Sequence, residues 1–277
     1  MDILLETIKI VVIVAVAVMV FVYFFQSKLI FFPQNTPDGM EQALKAYEVK
    51  VTNQGRNLYG WFVDETVSEN APIIVYYGGN AEEVSGSLEE VRKNIDALLL
   101  FMNYQGYGNS QGRPSERGLL NDALAVFDRI IVNRGIDPSR VILMGRSLGT
   151  GVAVYVAARR QVGALVLVTP FDSLVNVAKG IYPFLPVGKF LRHRFDSLAL
   201  APKIKTPMLA VVAERDEIIP TANSLSLVNV WGGPVETLVI KGAAHNDISG
   251  FPPYWSGIER FVNEQIRGGS ESTNRRP

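Results

Sequence analysis

The stretch Val141-Ile142-Leu143-Met144-Gly145-Arg146-Ser147-Leu148-Gly149-Thr150-Gly151 decides the fold. Val141 to Met144 is a short apolar run, which suits a strand covered on both faces. Gly145-Arg146-Ser147-Leu148-Gly149 follows at once. Val152, Ala153, Val154, Val156, Ala157 and Ala158 come next, a small-residue segment that reads as a helix pressed close against a sheet. Strand, sharp turn with a serine at its apex, then helix is the context that makes Gly-x-Ser-x-Gly a nucleophile elbow. The serine there is forced into a strained backbone conformation, and side chains at Gly145 or Gly149 would collide across the turn. The helix start also offers backbone N–H groups and a positive dipole end to an anion formed nearby. At ordinary glycine and serine frequencies the motif arises by chance in about one chain in ten of this length, so its weight depends on what surrounds it.

Composition sets the bounds. The chain has 277 residues, 48% of them hydrophobic and 19% charged, enough for a large α/β core. Lys+Arg and Asp+Glu balance at 27 each, and no basic run points to nucleic acid. With no cysteine, disulfides, thiol catalysis and zinc–thiolate sites are excluded. His193 and His245 are the only two histidines, so a histidine-rich metal site is unavailable and histidine chemistry must use one of them. No cofactor or metal is expected.

Upstream of the elbow, Tyr47 to Val51 alternates as a strand, Asn53 to Asn57 reads as a hairpin turn, and Leu58 to Val63 as the return strand. Ile73 to Tyr77 and Ala97 to Met102 are further apolar strands, each followed by a glycine-bearing loop. A helix runs from Ser115 to about Arg134. Downstream, strands are expected at Ala164–Val168, Pro207–Ala213 and Thr237–Ile240, with helices near Thr221–Val230 and Tyr254–Ile266. Alternating strands and helices predict an α/β fold with a mostly parallel sheet, helices on both faces and an antiparallel hairpin leading in. The segment 171–196 breaks the alternation. Its Tyr182, Pro183, Phe184, Pro186, Phe190 and Phe195 read as a small cap over a site.

The first thirty residues are of a different kind. Ile10 to Phe25 carries no charge, and every helical face is apolar. The run is slightly short of a bilayer span, and snorkelling of Lys9 and Lys28 makes up the difference. Phe21, Tyr23, Phe24, Phe25, Phe31 and Phe32 suit an interfacial aromatic belt. A cleaved signal peptide would want a small-x-small site after the apolar run, where this chain has the bulky stretch Val20 to Ser27. The expected organisation is a transmembrane anchor over 1–32, an α/β domain over 33–267 and a flexible tail over 268–277. Lys9 on one side and Lys28 and Lys45 on the other leave the membrane side open.

In a parallel sheet, ligand sites form beyond the carboxyl ends of the strands. An acid and a histidine serving Ser147 should therefore follow later strands, in the order Ser, acid, His. Glu214-Arg215-Asp216-Glu217 follows one such strand and Lys241-Gly242-Ala243-Ala244-His245 the next. Among Glu214, Asp216, Glu217 and the earlier Asp172, the reach of the loop favours Asp216. Ser147 is then the nucleophile, His245 the base and Asp216 its orienting acid. The oxyanion donors are the N–H of Leu148 and one from Gly78-Gly79-Asn80-Ala81, assigned to Asn80 with Ala81 as the neighbour alternative.

At this point the chain resembles the α/β-hydrolase superfamily. Within it, the resemblance is to the membrane-anchored serine hydrolases related to the yeast bud-emergence protein and the mammalian depalmitoylating α/β-hydrolase-domain proteins. Leu29 to Pro33, Tyr77 to Ala81, Asn103 to Ser115, the elbow, Thr169 to Leu174 and Gly242 to Asp247 carry the likeness. The family usually has His-Gly-Asn-Ala at Gly78–Ala81 and Asp-Tyr-Arg-Gly-Tyr-Gly at Asn103–Gly108. Neither departure touches Ser147, Asp216 or His245, and the first faces the substrate. The resemblance implies hydrolysis of an ester or thioester, with acyl substrates that include lipids and lipidated chains near a membrane. A peptidase or amidase on the same fold, and an inactive fold serving as a membrane-tethered binding module, are the competing functions.

Overall fold

The computed structural model describes residues 2–65, 71–183 and 185–273. It opens with α1 (Asp2–Ile30), one continuous helix whose sides are exposed over most of its length. Among the described residues it is the one helix long and apolar enough to cross a membrane. A short α2 (Met40–Ala43) then leads into the sheet.

The sheet holds β1 (Glu48–Asn53), β2 (Arg56–Val63), β3 (Ile73–Tyr77), β4 (Leu98–Met102), β5 (Val141–Arg146), β6 (Ala164–Val168), β7 (Met208–Ala213) and β8 (Val235–Ile240). Their spatial order is β1-β2-β4-β3-β5-β6-β7-β8. β1/β2 and β2/β4 pair antiparallel, and every other pair is parallel. The entry hairpin is tighter than the sequence suggests. Asn53 pairs with Arg56, so the turn is Gln54-Gly55 alone, both at positive φ. That two-residue geometry matches the right-handed twist of its strands.

Strand alternation sends side chains to two cores. Leu143, Leu165 and Val75 face one side, covered by α4 (Glu116–Phe127), α5 (Leu148–Ala157) and α8 (Thr221–Val230). Ile142, Met144 and Val166 face the other, covered by α3 (Ser85–Asn94) and α9 (Pro252–Thr273). Ser115 caps α4 by accepting from the Gly118 N–H at 3.2 Å. The helix then loosens into a π-turn over Asp128–Val132. At the carboxyl end, α9 continues to Thr273, beyond the helix limit and into the tail expected from sequence; residues 274–277 lie outside the described residues.

The 171–196 excursion forms α6 (Leu174–Ile181) and α7 (Val187–Phe190), joined by coil. Its ends belong to the core: Phe171 and Phe195 are buried and pack under α5, where both approach Gly151. The exposed part is shorter, with Ile181, Tyr182, Leu185 and Phe190 outermost. Phe184, expected to share in this surface, lies outside the described residues.

The close approach of α5 to the sheet depends on glycine. A Cβ on Gly149 would sit 1.9 Å from the Tyr77 carbonyl oxygen, and one on Gly145 would sit 2.6 Å from the Gly149 oxygen. Both obstacles are backbone, so neither can swing aside. Gly149→Ala is expected to cost about 3 kcal/mol or more, read as a melting temperature lowered by roughly 10 °C. An unchanged melting temperature would show that α5 can retreat without loss.

Candidate active site

β5 ends at Arg146 and α5 begins at Leu148, leaving Ser147 alone in the turn. Its backbone sits at φ 50, ψ −118, outside the regions a serine ordinarily adopts. That strain is held by its surroundings. The Ser147 N–H donates to the Val168 carbonyl at 2.9 Å, and the Thr150 N–H donates back to the Ser147 carbonyl at 2.9 Å. The side chain projects beyond the carboxyl ends of β5 and β6.

β7 and β8 deliver the other two groups. Asp216 follows β7 and His245 follows β8, whose register pairs Ala213 with Ile240. His245 Nε2 lies 3.0 Å from Ser147 Oγ. His245 Nδ1 lies 2.8 Å from Asp216 Oδ2 and 3.0 Å from its Oδ1. The Asp216 carboxylate is fixed in turn, because Oδ1 accepts the Ile218 and Ile219 N–H groups at 2.9 and 2.7 Å. The three residues thus stand in one hydrogen-bonded series, with Ser147 8% and His245 4% exposed.

The other acids near these loops are engaged elsewhere. Glu214 accepts the Gly242 N–H, Glu217 accepts the His245 N–H, and Asp172 holds Asn176 and Asn223. Among the described residues, no three His, Asp or Glu side chains converge to hold a metal ion.

Asn80 and Leu148 line the same cavity as Ser147. Neither of their N–H groups has a hydrogen-bond partner among the described residues, which leaves both free to donate. The Gly79 N–H is spent on Glu82 Oε2 at 2.7 Å. Asn80 is pinned by three bonds. Its carbonyl accepts the Phe32 N–H at 2.9 Å and the Tyr107 hydroxyl at 2.6 Å, and its side-chain amide donates to the Ile30 carbonyl at 3.1 Å. The end of α1 therefore braces the loop that faces Ser147.

Glu82 escapes a reading based on catalytic motifs. Besides Gly79, its carboxylate accepts the Tyr76 hydroxyl at 2.7 Å and the Ser87 hydroxyl at 2.5 Å, and Arg146 stands 3.9 Å away. Arg146 is the variable residue ahead of the elbow serine, so one carboxylate ties the Gly78–Ala81 loop to the elbow. The available signal was an acid three residues after a loop N–H, the same reach-back spacing as a capping box. Glu82→Ala is expected to lower kcat about 10- to 100-fold with a smaller change in KM, somewhat less than deleting an oxyanion donor outright. Glu82→Gln should recover most of the loss, since its carbonyl can still accept from Gly79 and the two hydroxyls can turn to accept its NH₂. Equal loss in both variants would remove the loop-positioning role.

The cavity above Ser147 has a volume of about 230 Å³ and is mostly apolar. Leu174, Val177, Ala178 and Ile181 of α6 form one wall, Ile218 and Ile219 another, and Leu29 and Ile30 of α1 a third.

His193 stands apart from Ser147. Its Nε2 is 2.8 Å from Ser27 Oγ, and its Nδ1 accepts the Glu116 N–H at 3.3 Å. Accepting at Nδ1 places the proton on Nε2, so the ring donates to Ser27 and cannot act as its base. Burial, aided by Arg192, pushes its pKa down to about 4 and keeps the ring neutral at neutral pH. Gln26 completes the same joint by accepting the Arg192 N–H at 2.6 Å and donating to the Phe190 carbonyl at 3.3 Å.

Residues 99–248 match the family described as Alpha/beta hydrolase domain. An uncharacterised protein of Mycobacterium tuberculosis is 34% identical over 94% of this chain and 95% of its own length. Alpha/beta hydrolase domain-containing protein 17B of Xenopus tropicalis is 30% identical over 78% of this chain and 74% of its own. Among solved structures, an esterase of Pyrococcus furiosus superposes with a TM-score of 0.68 at 19% identity, covering 86% of this chain and all of that one, which speaks for the fold alone. With its eight-stranded sheet and serine elbow, the chain is a hydrolase belonging to the alpha/beta hydrolase family.

Proposed function

We propose that this chain is a membrane-tethered serine hydrolase that cleaves carboxylic esters or thioesters through an acyl-enzyme. The observation that carries the reading is the continuous series Ser147 Oγ, His245 Nε2, His245 Nδ1 and Asp216, each step within 3.0 Å. His245 accepts the Ser147 proton as Oγ attacks the acyl carbon. Asp216 holds the proton on Nδ1, which keeps Nε2 free to accept, and stabilises the imidazolium that forms. The Leu148 and Asn80 N–H groups donate to the oxyanion. The tetrahedral species collapses with loss of the alcohol or thiol, which takes the proton from His245. Water then repeats the sequence on the acyl-serine and releases the acid, so Ser147 regains its proton.

Two further observations support the substrate class and the tether. The cavity beside Ser147 is apolar, as an acyl chain requires. The 28-residue apolar span Ile3–Ile30 suits an anchor joined directly to the 33–267 domain. Nitrophenyl esters and acyl thioesters of increasing chain length, assayed beside the amide of one of those acyl groups, test the reading. The expected result is ester and thioester turnover that improves with chain length, and amide turnover slower by about 100-fold or more, because an amide carbonyl is less electrophilic and an amine leaves less readily, and a barrier higher by about 2.7 kcal/mol is 100-fold in rate. An amide cleaved as fast as its ester would reassign the enzyme as an amidase.

A further inference from the structure

The cap and the end of α1 form a single surface around the mouth of the cavity. Leu29 and Ile30, the last residues of α1, are themselves cavity wall, so the chain passes from the apolar helix to the site of Ser147 with no spacer. Across the mouth stand Ile181 and Tyr182, with Leu185 and Phe190 beside them, all between 38 and 54% exposed. Residues 174–195 carry Lys179, Lys189, Arg192 and Arg194 and no acidic residue, in a chain whose 27 cationic and 27 acidic residues cancel overall. Together with Lys28 in the last turn of α1, none of these cations forms an ion pair among the described residues. Exposed aromatic and aliphatic side chains interleaved with unpaired cations are the pattern of an element that lies in a headgroup layer. Gln26 and His193 lock this element to α1, so its height above the bilayer is set by the helix rather than left to a flexible tether.

We infer that the exposed side chains of residues 179–183 and 185–194 rest in the headgroup layer of an anionic bilayer, so that the cavity takes its acyl chain from the membrane that holds α1. This rests on the membrane-tethered acyl-hydrolase reading above. The bilayer surface covers Ile181, Tyr182, Leu185 and Phe190, and its acidic headgroups neutralise Lys179, Lys189, Arg192 and Arg194. The acyl chain then passes between Ile30 and Ile181 without crossing water.

The natural absence of cysteine makes the test direct. Full-length Leu185→Cys and, as a reference on α9, Glu259→Cys are labelled with an environment-sensitive fluorophore. They are then placed in nanodiscs of phosphatidylcholine and phosphatidylglycerol, so that aqueous iodide reaches both faces. The expected result is iodide quenching at 185 at least threefold weaker than at 259. That protection should be lost when Lys179 and Lys189 are both changed to glutamate. The same double variant should hydrolyse a long-chain ester dissolved in the disc at least fivefold more slowly while hydrolysing a water-soluble acetate ester at the wild-type rate. Equal quenching at 185 and 259 would overturn the proposal, as would quenching at 185 unaffected by the charge reversals. Neither result depends on Ser147 chemistry. A protein that still reacts with a fluorophosphonate while failing the quenching test loses the bilayer-facing mouth and keeps the hydrolase reading.

Discussion

Replacing Ser147 by alanine is expected to lower kcat on a nitrophenyl ester by about 10⁵- to 10⁶-fold, the range seen when the nucleophile of a serine, histidine and acid unit is removed. The size follows from the division of labour. Without Oγ there is no acyl-enzyme, and His245 is left with no hydroxyl at 3.0 Å to activate. The free Leu148 and Asn80 N–H groups and the cavity remain. About 10³- to 10⁴-fold over water should therefore survive, from direct attack of a water on the bound ester. The fold should not suffer, because Ser147 contributes one side-chain hydrogen bond worth about 1 kcal/mol. Steady-state kinetics beside a thermal melt separate the two effects. A variant with intact folding and more than about a hundredth of wild-type activity would mean another nucleophile, since only that or contamination evades a loss of this size.

The second large effect is expected at Asp216→Asn, where kcat/KM should fall by about 10³- to 10⁴-fold. Here the local geometry dictates the outcome. Asp216 Oδ1 accepts two backbone N–H groups, from Ile218 and Ile219. In the asparagine variant the one remaining oxygen stays with those donors, which turns the NH₂ group toward His245 Nδ1. Nδ1 must then accept, the imidazole proton moves to Nε2, and the nitrogen facing Ser147 can no longer take its proton. Activity should recover in part at alkaline pH, as the serine ionises without a base. Asp216→Ala, which imposes no tautomer, should be less damaging per group removed. A fall of less than tenfold in the asparagine variant would show that His245 is oriented by something other than Asp216.

Much of this site could be read from the sequence because it follows the grammar of a parallel sheet. An apolar strand followed by glycine, serine and small residues fixes Ser147 at a carboxyl edge, and the same edge then locates Asp216 and His245 after β7 and β8. The core helices were legible for a similar reason, since Leu119, Ala123, Phe127 and Ile130 repeat at helical spacing. What escaped depends on contacts between distant residues. Gln26 meets Arg192 and Ser27 meets His193 across 166 positions, and no local pattern records such pairings. The burial of Phe171 and Phe195 at the two ends of the 171–196 segment escaped for the same reason, because only tertiary packing against α5 claims them for the core. Glu82 was hidden differently. Its role lies in holding a backbone N–H, and acids are common enough in loops that only the completed network with Tyr76, Ser87 and Arg146 sets it apart.

The helix that suits a membrane also helps to build the site. Its last two residues line the cavity, its Ile30 carbonyl holds the Asn80 side chain, and the Phe32 N–H just beyond it holds the Asn80 carbonyl. The end of α1, the Gly78–Ala81 loop and α6 thus meet around Ser147.

The most direct test is to treat the full-length protein with a fluorophosphonate and locate the adduct by peptide mass spectrometry. The expected result is stoichiometric modification of Ser147, abolished by Ser147→Ala and slowed strongly by His245→Ala. No modification of the folded wild-type protein, or an adduct on any other residue, would contradict it.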